Sequence, residues 1–156
     1  MANESKKNFN AMLQDSKDMP KIQTVTDPKT IEKYGGTRMY FAPPVDYDKA
    51  MRQVPYGQVI TVGSIREHFA RLSGTDFTEP ITAGIFVSIA AWASHQRDHD
   101  HTPYWRTLKA DGEKTTGRLP GICHCCSAQK GLRCSTLRPG RRRLTCLVGT
   151  GSIWLW

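Results

Sequence analysis

The chain has no cysteine before Cys123, so a disulfide framework over its first 120 residues is excluded. It has no run of 18 apolar residues, and no membrane-spanning helix is expected. Its first residues, Met1-Ala2-Asn3-Glu4-Ser5-Lys6-Lys7, contain no apolar stretch. That argues against a secretory signal and for a cytoplasmic protein. Neither Lys nor Arg occurs between Arg71 and Arg97, and no Asp or Glu occurs in residues 121–156. These two gaps make the charge uneven along the chain.

What is present suits one soluble domain. The 156 residues are 38% apolar and 23% charged, enough to bury a core but too few for two full domains. The formal net charge of +8 points first to a polyanion such as nucleic acid. Residues 1–120, however, hold sixteen basic and fourteen acidic residues, a net of +2. The other six charges are Lys130, Arg133, Arg138, Arg141, Arg142 and Arg143. All five cysteines, Cys123, Cys125, Cys126, Cys134 and Cys146, share that C-terminal segment.

Three zones follow. Residues 1–44 are polar, with breakers at Asp27-Pro28, Gly35-Gly36 and Pro43-Pro44. They read as an arm or partly ordered extension with a short helix near Lys7–Asp15. Residues 45–120 carry the best pattern. Val45–Val54 reads as a helix, with Asp46 and Asp48 placed to favour its dipole. Pro55-Tyr56-Gly57 is a tight turn. Thr61 is placed to cap a helix over Val62–Leu72, whose apolar residues recur at 3, 4, 3 spacing, and Gly74 stops it. Glu79–Ser94 is apolar almost all round and reads as a buried helix, with a strand as rival because of its β-branched residues. Tyr104–Leu108 and Thr115–Leu119 are expected to pair as a hairpin around Asp111-Gly112. The expected fold is therefore mainly α with a small β-hairpin, a winged helix-turn-helix.

Two segments carry a family resemblance. Val54-Pro55-Tyr56-Gly57-Gln58-Val59-Ile60-Thr61-Val62-Gly63-Ser64-Ile65 resembles the Pro-Tyr-Gly-x-Val-x-[Ser/Thr]-Tyr-Gly-x-Ile segment of the DNA-binding domain of alkylguanine-DNA alkyltransferases. These are also called methylated-DNA–protein-cysteine methyltransferases. Pro103-Tyr104-Trp105-Arg106-Thr107-Leu108-Lys109-Ala110-Asp111-Gly112 resembles that family's active-site segment, Pro-Cys-His-Arg-Val-[Ile/Val]-x-x-[Asp/Asn]-Gly. Gly117–Gly121 is placed like the glycine-containing loop that follows. The resemblance covers about residues 45–121.

The departures bear on chemistry. The family's cysteine takes the alkyl group from guanine, and a neighbouring histidine helps to form the thiolate. Tyr104 and Trp105 stand at those positions. A phenol with an ordinary pKa of about 10 and no adjacent histidine is a poor nucleophile, so no catalytic residue is assigned. Val62 stands where the family has a phosphate-displacing tyrosine, and the third helix lacks the family's base-replacing arginine. The chain thus looks closest to the alkyltransferase-like branch, whose members bind alkylated DNA without repairing it. The resemblance implies DNA contacts from Tyr56, Gly57, Thr61, Ser64 and Ser88 and a base pocket of Tyr104, Trp105 and Arg106. The two aromatics could instead fill the former pocket, and Arg106 reads as a brace.

Two further clusters have bland alternatives. His95-Gln96-Arg97-Asp98-His99-Asp100-His101 holds metal-ligand types but also reads as a polar loop. The cysteine spacing is not the paired C-x₂-C pattern of a zinc site. The tail reads as a basic clamp, as a metal segment, or as a frame-shifted, non-native end. No cofactor and no metal are expected. The expected partners are double-stranded, alkylated DNA and a DNA-repair protein, bound by a monomer. The alternatives are a degenerate module serving protein interaction, and residual methyl transfer through a tail cysteine.

Overall fold

The computed structural model describes residues 7–110. Its elements follow in chain order. Helix α1 (Phe9–Gln14) is capped by the Asn8 side chain, which accepts from the Ala11 amide. Strand β1 (Lys21–Thr24) precedes α2 (Pro28–Tyr34), which Asp27 caps and Gly35 ends in the left-handed region at φ 76°. Strand β2 (Arg38–Phe41) leads to α3 (Pro44–Arg52). Strand β3 (Ile60–Thr61) runs directly into α4 (Val62–Ser73), and β4 (Phe77–Thr78) into α5 (Pro80–Gln96). A 3-10 turn at Tyr104–Arg106 and strand β5 (Thr107–Leu108) complete the described part.

The fold is mixed α/β. β1 pairs antiparallel with β2, and β2 parallel with β4. A second small sheet joins β3 and β5 in parallel. The three helices of the middle zone form close to their expected bounds, because their end signals are local. The Thr61 hydroxyl accepts from the Ser64 amide, and Gly74 closes α4 at φ 63°. Glu79 accepts from the Ile81 and Thr82 amides at the start of α5, where Pro80 sits in the first turn. Residues 81–93 are helical rather than a strand, for alanines at 83, 90, 91 and 93 let neighbouring helices approach closely.

Three expectations change. Residues 7–44 are no loose arm: Phe9 and Leu13, four apart on α1, enter the core and pack α1 against α5. Phe9 stacks on Trp92 at 5.4 Å. The expected hairpin strand at Tyr104–Leu108 is instead a 3-10 turn followed by two residues that pair with β3. The other hairpin strand, Thr115–Leu119, and the whole 121–156 tail lie outside the described residues. Asp48, expected to serve the α3 dipole, lies beyond the first turn and is buried.

The core runs between α3, α4 and α5. Tyr47, Met51, Ile65 and Val87 are at most 1% exposed. The Tyr47 ring meets Phe69 edge-on at 5.0 Å. One loop is fixed by close approach. A Cβ at Gly36 would fall 2.2 Å from the Asp76 carboxyl carbon, and the Asp76 carboxylate accepts from the Thr37 and Arg38 amides at 2.8 Å each. It cannot swing away without losing both bonds. Gly36→Ala is expected to destabilise the fold by about 1–3 kcal/mol. Thermal unfolding checks this, and an unchanged Tm would show that the carboxylate yields at no cost.

Candidate nucleic-acid interface

The two motif segments lie about fifty residues apart in sequence and meet in space. Ile60 pairs with Thr107 and Thr61 with Leu108. The Arg106 guanidinium reaches back and donates from Nη1 to the Val54 carbonyl at 2.8 Å. Its centre also lies 5.5 Å from the Tyr56 ring centroid. Partial burial lowers the Arg106 pKa from its ordinary value, offset by the nearby Tyr56. A guanidinium still remains charged at neutral pH, so Arg106 braces the turn from below.

That turn presents its residues outward. Gln58 donates its amide to the Pro55 carbonyl at 3.2 Å, and Gly57 has φ 80°, a conformation that a side chain disfavours. Tyr56 is 67% exposed. Thr61 and Ser64 are half-buried at the start of α4, with their hydroxyl oxygens 3.0 Å apart. The Thr61 hydroxyl therefore serves as the helix cap, and a contact to an anion would use its remaining capacity. Ser88 is half-buried on α5. On the same helix, Ile81 and Ile85 are 73% and 52% exposed. Tyr56, Gly57, Thr61 and Ser64 thus form one continuous segment beside β5, and Ser88 lies on a separate helix.

Tyr104 and Trp105 do not form an open platform together. Tyr104 is 4% exposed and belongs to the core cluster, which is the core-filling geometry. Its hydroxyl is buried without a hydrogen-bond partner among the described residues, and burial pushes its pKa up. Trp105 is half-buried and meets the Tyr104 ring edge-on at 5.4 Å. A neutral phenol is a poor nucleophile toward an alkyl group.

Sequence reasoning missed the anchor of the loop after α5. The buried Asp48 accepts from the Thr102 hydroxyl at 2.5 Å and from Arg52 Nε at 2.9 Å, and Arg97 Nη2 lies 3.6 Å away. Arg52 also reaches the Asp100 carboxylate at 2.6 Å, which holds the Asp100 carboxyl below its usual range. Thr102 and Ser94 exchange two hydrogen bonds, from the Thr102 amide at 2.8 Å and from the Ser94 hydroxyl at 3.2 Å. His101 Nδ1 lies 2.8 Å from the Ser94 carbonyl. Of the segment expected as a loop, His95 and Gln96 belong to α5, and the loop proper, from Arg97 on, is tied to α3 and α5 by hydrogen bonds. Among the described residues, no three His, Cys, Asp or Glu side chains gather as a metal site. The only available signal was the (i, i+4) spacing of Asp48 and Arg52, which sets a helix pair but not its burial.

Among the described residues no helix is long and apolar enough to cross a membrane. Comparison with protein-family models, curated proteins and solved structures finds no match to this chain.

Proposed function

We propose that this chain is a non-enzymatic double-stranded DNA-binding protein of the alkyltransferase-like kind, a winged helix-turn-helix that recognises O6-alkylated guanine. The observation that carries the reading is the meeting of the two motif segments, through the β3–β5 pairing and the Arg106 brace under Val54 and Tyr56. α4 and α5, with Gly74–Glu79 between them, supply the helix-turn-helix. Phosphate contacts come from Tyr56, Gly57, Thr61 and Ser64. The buried, neutral Tyr104 favours binding over alkyl transfer.

Fluorescence titration of the full chain against duplexes with and without one O6-alkylguanine tests the proposal. The expected result is tighter binding of the lesion duplex at moderate salt. Equal binding removes the sensor role, and no binding removes DNA as the ligand. A second reading, docking to a DNA-repair protein, has its own support. The exposed part of α5 is apolar at Ile81 and Ile85 and carries no Lys or Arg. Retention of a repair protein in a DNA-free pull-down that is lost in Ile81→Ser/Ile85→Ser would favour it.

A further inference from the structure

A cleft of about 300 Å³ opens between α2, the Gly63–Ala70 part of α4 and β4. Tyr34 forms its floor, stacked on Phe77 at 4.8 Å and 16°. Two cations stand around that ring. Lys33 Nζ lies 5.2 Å from the Tyr34 centroid and Arg66 Cζ 5.7 Å from it. Arg66 Nε donates to the Thr78 carbonyl at 3.1 Å, which fixes the guanidinium plane. Its two terminal nitrogens make no hydrogen bond among the described residues, and neither cation forms an ion pair there.

Two like charges near one ring make the local potential more positive, and an anion in the cleft would be attracted to both. A guanidinium with both terminal nitrogens open suits two oxygens of a phosphate, and an ammonium adds a point charge. Two acids also line the cleft, Glu67 and Asp76. The Asp76 carboxylate is turned onto the Thr37 and Arg38 amides, and Glu67 is exposed and lies beyond ion-pair distance of both cations. Gly63 lines the same cleft and lies between Thr61 and Ser64 in the α4 N-terminal turn. Through Gly63 one edge of the cleft borders the chain segment assigned above to DNA phosphate.

We infer that Lys33 and Arg66 hold a DNA backbone phosphate in this cleft, extending the footprint of Tyr56–Ser64 across Gly63 onto α2. The inference rests on the DNA-binding reading. It gives the N-terminal segment a sequence-independent positioning role, since a phosphate contact carries no base information.

Lys33→Ala tests it in the full chain, by anisotropy of a labelled plain duplex and a labelled O6-alkylguanine duplex over a range of salt. Lys33 is exposed and makes no hydrogen bond among the described residues, so the thermal unfolding curve should not move. The positive tail is identical in both proteins and cancels in the comparison. Expected are a plot of log affinity against log salt that is shallower by about one unit, and a loss of about three- to tenfold for both duplexes alike. Arg66→Lys, which keeps the charge but not the fork, should lower affinity and leave the slope in place. A wild-type slope and affinity in Lys33→Ala would overturn the inference while leaving the DNA reading standing. Absence of binding by the wild-type chain overturns both.

Discussion

Asp48→Ala is expected to lower the unfolding free energy by about 3–5 kcal/mol. The Asp48 side chain is 8% exposed, and it joins Arg52, Arg97 and the Thr102 hydroxyl. Its removal leaves the Thr102 donor unpaired in a buried site and two guanidinium groups close together without the carboxylate between them. Arg52 retains Asp100, so the loss falls mainly on Arg97 and Thr102. The loop from Arg97 to Thr102 then keeps its Arg52–Asp100 tie to α3 but loses the tie through Thr102, which lies two residues before the 3-10 turn that carries Tyr104. Asp48→Asn keeps an acceptor for Thr102 and should cost distinctly less. Equilibrium denaturation measures both. A loss under about 1 kcal/mol for the alanine variant would mean that water replaces the carboxylate at little cost.

Tyr104→Ala is expected to destabilise by about 3–5 kcal/mol, because it empties a core position that is 4% exposed. Tyr104→Phe should be neutral or slightly stabilising, since it removes a buried hydroxyl that has no partner among the described residues. The pair also differs in alkali. Burial raises the folded pKa of Tyr104, so the unfolded chain releases that proton first, near pH 10. The wild-type stability is fully present below pH 10 and falls as pH rises from there through the raised folded value. The phenylalanine variant lacks that share of the alkaline loss. Tyr47 stays in both proteins, and its phenol is also pushed up by burial, so a reduced alkaline slope remains. Denaturation curves at neutral pH and above pH 10 decide this. A phenylalanine variant weakened by 2 kcal/mol or more at neutral pH would show that the hydroxyl is bonded and that Tyr104 does more than fill space.

These two sites mark where the sequence was legible and where it was not. The middle helices could be read because their signals act within one turn of chain. Thr61, Gly74 and Pro80 bias the backbone beside them wherever the rest of the molecule lies. The α1 helix was expected near Lys7–Asp15, but its destination was not. Phe9 and Leu13, set among Lys7, Asn8, Asn10, Gln14 and Asp15, look like a weak amphipathic stretch until Trp92 and Gln96 are placed against them. Of the strand expected over Tyr104–Leu108 only Thr107–Leu108 forms, and the partner expected for it, Thr115–Leu119, lies outside the described residues. The pairing observed for β5 joins residues nearly fifty apart, which no turn signal encodes.

At the candidate interface the same division holds. The segment Tyr56–Ser64 and the replacement of a thiol chemistry by Tyr104 and Trp105 were visible residue by residue. Lys33 and Tyr34 were not, because α2 looked like part of a polar arm. Their nearness to Arg66 appears only once the sheet of β1, β2 and β4 seats α2 beside α4.

By itself, then, the sequence determined where α3 and α4 start and stop, which residues could carry chemistry, and that six of the eight net charges lie in the last 36 residues. Only the tertiary structure decided that Asp48 is buried, that Arg106 braces the Tyr56 turn, that β5 joins β3, and that two cations gather on Tyr34. Caps, prolines and glycines act through the dihedral angles of a few adjacent residues. Burial and pairing depend on which distant segments exclude water from one another, and that is settled only when the whole chain has packed.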